Sequence, residues 1–134
     1  MALARLIPQG WDSRPSATKA QLEEIVSSPA VVLFVAKESS RDSEIVGTFT
    51  LVMFRIPTGM RALLHNLVVD SKSRRKGIAE ALTRAALQRA AKAGVQTIEL
   101  TSKPRPSREV AVRMYKQMGF TQNETNVYRY DFES

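Results

Sequence analysis

"VVDSKSRRKGIAEAL", residues 68–82, decides how the rest of the chain is read. An apolar run ends at Asp70, a basic cluster comes next, and a glycine then opens a helical pattern. The first main-chain N–H groups of a helix have no partner within it, and with the helix dipole they form an anion site. Gly77 carries no Cβ at that turn, so a ligand can approach the main chain closely. Ala79 keeps the first turn slim, and Arg74, Arg75 and Lys76 bring positive charge to the same place. These features suit a phosphate, and a diphosphate better. The stretch is not a Walker loop, because it lacks G-x-x-x-x-G-K-[ST], and it is not G-x-G-x-x-G. Taken alone it is open to other readings: a solvated turn, a nucleic-acid patch or a transport signal.

The flanking residues supply the context. "ALLHNLVVD", ending at Asp70, is apolar at nearly every position and predicts a strand covered on both faces. The helix is predicted from about Gly77 to Ala93. Glu80, Arg84, Gln88 and Lys92 form its wet stripe, while Ala79, Leu82, Ala86 and Ala90 form its apolar one. Gly94 is placed to cap it. "TIELTS" comes next as a strand, so strand, helix and strand make a parallel βαβ unit. Upstream, "ATKAQLEEIVSS" predicts a helix with Leu22, Ile25 and Val26 on one face and Pro29 as its stop. "AVVLFVAKE" and "EIVGTFTLVMF" read as strands joined by the turn chemistry of "SSRDSE". Downstream, "REVAVRMYKQM" predicts a helix with Ala111, Met114, Tyr115 and Met118 on one face and Gly119 as its cap. "NVYRYDF" alternates and predicts a terminal strand. The class is mixed α/β.

Size and composition bound the answer. The 134 residues are expected to form a single domain, 1–134, with 43% apolar and 25% charged residues, as in a globular protein. No apolar run approaches the ~20 residues of a membrane helix, and no secretory signal is read at the start. The chain has no cysteine, which excludes disulfides and thiolate metal sites and fits a reducing, cytoplasmic setting. The net charge of +7 favours anionic partners without choosing among nucleic acid, acidic membranes and a polyphosphorylated cofactor.

"VVDSKSRRKGIAEAL" resembles the acetyl-CoA signature of the GNAT N-acetyltransferase superfamily: Arg or Gln, two residues, Gly, one residue, then Gly or Ala. Arg74, Gly77 and Ala79 meet it, after a strand and at the start of a helix. "AVRMYKQMGF" resembles the family's later motif through Ala111, Tyr115 and Gly119-Phe120. The resemblance covers roughly residues 30–132. It implies a mixed sheet with antiparallel N-terminal strands and a central, splayed parallel pair flanked by helices. It implies acetyl-CoA as acetyl donor and an amine as acceptor, with no metal. The pantetheine arm would pair with the main chain near Leu67, Val68 and Val69, and the pyrophosphate would lie on the amides of Arg74, Arg75, Lys76, Gly77, Ile78 and Ala79. By analogy the amide of Leu67 faces the acetyl carbonyl, and Tyr115 gives a proton to the departing thiolate. Tyr115 equally suits packing on its apolar face.

Some family members carry a histidine or glutamate at the position of His65 that helps remove the acceptor's proton. A histidine hydrogen-bonded within the sheet is the other reading. Strand alternation puts Leu63, His65, Leu67 and Val69 on one face unless a bulge shifts the register. Glu99 is an alternative base, or a surface carboxylate. Two departures from the family pattern stand out. Arg108 occupies a position where many members have an asparagine that contacts pantetheine. The start, "ALARLIPQGW", looks like the tail of a first helix. Either the usual first strand is missing or the chain begins late relative to its relatives, and this end is expected to be disordered, rebuilt or covered in a homodimer. Direct attack by an amine in a ternary complex is the leading expectation, since no cysteine offers a nucleophile. A non-catalytic acyl-CoA-binding module and a small basic nucleic-acid binder are the alternatives. No membrane partner is expected, and the sequence names no acceptor.

Overall fold

The structure is a computed structural model that describes residues 18–38, 44–74, 77–102 and 109–132. It comprises two compact units, residues 1–101 and residues 102–134.

In the first unit, helix α1 (Lys19–Ser27) starts at a reciprocal cap. Thr18 Oγ1 accepts from the Gln21 N–H at 3.2 Å, and Gln21 Oε1 accepts from the Thr18 N–H at 2.9 Å. Leu22 is its buried anchor, whereas Val26, expected on the same apolar face, is 66% exposed. Strands β1 (Val31–Glu38), β2 (Glu44–Ile56), β3 (Gly59–Val69) and β4 (Thr97–Leu100) form one sheet in the order β1-β2-β3-β4. The first two pairings are antiparallel and β3-β4 is parallel. Helix α2 (Ile78–Lys92) connects β3 to β4, as the βαβ reading requires. The expected α/β class, with its mixed sheet, is therefore the observed one. The stretch in which the first strand is expected to be missing lies outside the described residues, and among the described strands β1 forms that edge of the sheet.

The core lies between one face of the sheet and α2. Phe49, Leu51 and Met53 of β2 and Ala62 and Leu64 of β3 are buried, and so are Leu82, Ala86 and Ala90 on the helix. Burying a Leu or Phe contributes about 1.5–3 kcal/mol. Gly47 makes the close approach possible: a Cβ there would stand 3.0 Å from Ile78 Cγ2 and 3.2 Å from Leu82 Cδ1. The helix ends in a Schellman cap. Gly94 (φ 81°) donates to the Ala91 carbonyl at 3.1 Å and Val95 to the Ala90 carbonyl at 3.0 Å. The expectation that β3 is covered on both faces fails at His65, which is exposed. Among the described residues no helix is long and apolar enough to cross a membrane.

The second unit contains α3 (Glu109–Gln117) and the chain after it. The predicted terminal strand does not form. Residues 121–132 have no regular structure and are exposed, Tyr128 at 89% and Phe132 at 87%. Alternation prepares a segment for pairing, but a strand also needs an edge to bond to, and no described strand pairs with this one. Local contacts replace the ladder: the Tyr130 and Phe132 rings meet edge-on at 5.1 Å, and Arg129 pairs with Asp131 at 2.9 Å.

Candidate active site

The parallel ladder between β3 and β4 is short. It runs from Arg61↔Thr97 to Leu64↔Leu100 and stops, while β3 continues to Val69. Residues 65–69 therefore extend roughly 16 Å beyond the last rung with no β4 beside them. On its other side β3 stays paired with β2 as far as Gly47↔Val69. The result is a fork: among the described residues no strand continues beside β3 where β4 has ended.

A bulge sits at the root of that fork. Thr50 opposes His65 and Thr48 opposes Val68, so Phe49 alone faces both Asn66 and Leu67. Asn66 adopts φ 58°, a left-handed conformation that asparagine tolerates better than most residues. The extra residue corrects the simple alternation. Leu67 lies opposite buried Phe49 and is itself buried, whereas His65 is exposed. The sequence allows for a bulge here; the Asn66 conformation fixes where it falls.

The chain then turns tightly from the fork to the helix. The Asp70 N–H donates to the Val46 carbonyl at 2.7 Å, the Asp70 carboxylate accepts from the Lys72 N–H at 3.1 Å, and the Ser73 N–H donates to the Asp70 carbonyl at 2.8 Å. Asp70 and Ser73 are buried in this turn. Arg74 folds back, its Nε–H donating to the Val69 carbonyl at 3.1 Å. The strand end is thereby tied to the turn that leads to α2. Arg75 and Lys76 lie outside the described residues.

Gly77 is the N-cap of α2, with φ 76°, and no side chain caps the helix there. Its carbonyl accepts from the Ala81 N–H at 3.0 Å, closing the first turn. A Cβ at Gly77 would meet nothing within 4 Å. The glycine is thus required by its left-handed backbone rather than by a lack of room for a side chain. From this mouth an open groove of about 300 Å³ runs along α2, lined by Gly77, Glu80, Ala81, Arg84, Ala85 and Gln88. Glu80 and Arg84 brace its wall through a 2.6 Å ion pair. The wet stripe is visible in the sequence, but the groove is not. Its signal is the recurrence of small residues every four positions, at Gly77, Ala81 and Ala85.

Sequence reasoning misses Gly47 as well, because an isolated glycine in a strand does not announce what packs on it. By register it lies opposite Val69, at the end of the fork. Its missing side chain is what lets the first turn of α2 seat against that end of the sheet.

In the second unit, Tyr115 is buried near the end of α3. Gly119 (φ 103°) donates to the Lys116 carbonyl at 3.2 Å, and Phe120 donates to the Tyr115 carbonyl at 3.0 Å. The Tyr115 and Phe120 ring centroids are 5.5 Å apart. This is a Schellman cap with its accompanying apolar contact. The Tyr-x-x-x-Gly-Phe spacing thus has a local cause: the glycine ends the helix and the phenylalanine comes back to hold the tyrosine. Arg108 lies outside the described residues.

The acetyltransferase (GNAT) family matches the chain over residues 2–120. Several solved structures share the fold. One from Agrobacterium tumefaciens str. C58, assigned as an acetyltransferase, superposes with TM-score 0.82 at 23% identity, over 97% of this chain and 92% of its own. Glucosamine-6-phosphate N-acetyltransferase from Arabidopsis thaliana gives TM-score 0.80 at 19% identity, over 96% and 88%. A predicted acetyltransferase from Clostridium acetobutylicum, solved with acetyl-CoA, gives TM-score 0.68 at 18% identity, over 83% and 71%. At these identities the likeness is one of fold. No curated protein matches the chain by sequence.

Proposed function

This chain belongs to the acetyltransferase (GNAT) family, and on that premise we propose that it moves an acetyl group from acetyl-CoA to a primary amine in a ternary complex. Acyl transfer from acetyl-CoA is the chemistry of the family. The observation that carries the finer reading is the parting of β3 from β4 beside an uncapped helix mouth. An extended pantetheine arm fits along residues 65–69 as an added strand would, against the main chain of Leu67, Val68 and Val69. In this reading the pyrophosphate would lie on the amides from Arg74 to Ala79, with Arg75 and Lys76 adding charge. Bound there, acetyl-CoA supplies an activated acyl thioester.

The chain's own residues divide the rest of the work. Leu67, at the bulge, is our candidate for the amide that meets the acetyl carbonyl oxygen. As the amine nitrogen bonds to the acyl carbon, the carbon–sulfur bond breaks and the thiolate takes the phenol proton of Tyr115. The amine's surplus proton leaves to His65, directly or through water. A phenol can give a proton to a thiolate, and an imidazole can take one from an amine. Residues 1–134 act as one catalytic domain in this reading, in the cytoplasm, without a metal.

The test is release of free CoA thiol from acetyl-CoA in the presence of a panel of amines, paired with thermal unfolding. Acetyl-CoA at a hundred times its dissociation constant should stabilise the fold by about 2.7 kcal/mol. Amine-dependent thiol release should accompany it. Stabilisation without release would leave a binding module, and the absence of both effects would contradict the reading outright.

A further inference from the structure

One face at the root of the fork carries two side chains whose chemistry complements each other. Leu63 opposes Glu99 across the parallel ladder, so both point to the same side of the sheet. His65 lies one pleat further along β3 and returns to that side before the bulge at Asn66 intervenes. His65 and Glu99 therefore share one face of the sheet, one pleat apart along the strands. Both are exposed. Among the described residues neither side chain makes a hydrogen bond or ion pair. Glu99 is the only carboxylate carried by β3 and β4.

Charge sharpens the placement. Arg61 shares this face one pleat behind Leu63, opposite Thr97, and its Nε is buried without a partner. The chain as a whole carries a net charge of +7. A primary alkyl amine reaches an enzyme at pH 7 as an ammonium ion, which such a surface repels. It must be held as a cation and then lose a proton before it can attack. A neutral imidazole takes the proton but does not attract the cation, and a carboxylate does the reverse.

We propose that Glu99 receives the acceptor's ammonium group beside His65 and sets the protein's affinity for the amine. The inference rests on the acyl-transfer reading above and adds a specificity residue to it. Glu99 holds the ammonium, and His65 takes one proton from it and hands it to bulk water. The imidazole is then free to take the nitrogen's second proton after attack. The freed nitrogen lone pair then attacks the acyl carbon at the open side of the fork.

The experiment measures thiol release at pH 7 with the best alkyl amine of the panel. Glu99→Gln should raise KM for the alkyl amine about tenfold or more while kcat and the KM for acetyl-CoA change little. Glu99→Asp should recover part of the loss. His65→Gln should lower kcat instead. An unchanged alkyl-amine KM in Glu99→Gln overturns the proposal. If the wild-type protein neither gains stability from acetyl-CoA nor releases thiol with any amine, the acyl-transfer reading fails first and takes this inference with it. If acetyl-CoA stabilises Glu99→Gln as it does the wild type, a changed KM is not a folding defect.

Discussion

Residues 61–64 of β3 carry β4 along their edge, whereas residues 65–69 of the same strand carry no described strand there. Both segments are largely apolar and both pair with β2. The difference lies on the open side. At 61–64 the main-chain groups are used up in the sheet, and the side chains of Ala62 and Leu64 build the core. At 65–69 a bulge re-aims the strand, a tight turn ties its end to Arg74, and an uncapped helix mouth opens close by. One strand thus holds the fold together at its start, and at its end it runs past β4 along the segment where our reading places the ligand. Substitutions in the two halves should therefore separate stability from binding.

The largest effect is expected in the closed half. Leu64→Ala removes a buried side chain at the last rung, and should cost about 2–5 kcal/mol of stability by denaturant unfolding. The affinity of the remaining folded protein for acetyl-CoA should stay near wild type. A loss of affinity without a loss of stability would reverse the assignment of the two halves. Next comes Gly77→Glu, which forces a side chain into a left-handed backbone and sets a negative charge at the helix mouth. Acetyl-CoA affinity by calorimetry should fall about a hundredfold, and unchanged affinity would remove the helix mouth from the site.

Gly47→Ala probes the joint between the halves. The new methyl meets Ile78 and Leu82, so about 1–3 kcal/mol of stability should be lost. Because those residues form the first turns of α2, acetyl-CoA affinity should weaken as well. A stability loss with affinity intact would show that the helix mouth does not depend on its seat on β2. The smallest effect belongs to Glu80→Gln, which breaks an exposed pair with Arg84. It should change stability by no more than about 0.5 kcal/mol, and a larger change would mean that the groove wall is more rigid than its exposure implies.

How far the sequence reaches differs from element to element. Both helices of the motifs fall within a residue or two of expectation, because Gly77, Gly94 and Gly119 sit where left-handed backbone is required. Each of those signals is local. The bulge at Asn66 depends on register against β2, which no run of β3 residues encodes alone. Gly47 matters because of a helix that arrives some thirty positions later. "NVYRYDF" has the alternation of a strand and lacks an edge to pair with among the described residues. The site obeys the same division. The glycine-and-basic turn is readable because its chemistry lies in consecutive residues, and so is the Tyr115 cap, where Gly119 and Phe120 act within one helical turn. The shared face of His65 and Glu99 appears only once the parallel register is known.

Residue-resolved amide hydrogen exchange, with and without acetyl-CoA, tests the fork most directly. In the free protein, amides at 61–64 should exchange slowly. Those at 65–69 that point away from β2, and those at 78–80, should exchange faster and slow markedly when acetyl-CoA is added. If residues 65–69 are already as protected as 61–64 and acetyl-CoA leaves them unchanged, β3 has no open half and the site lies elsewhere.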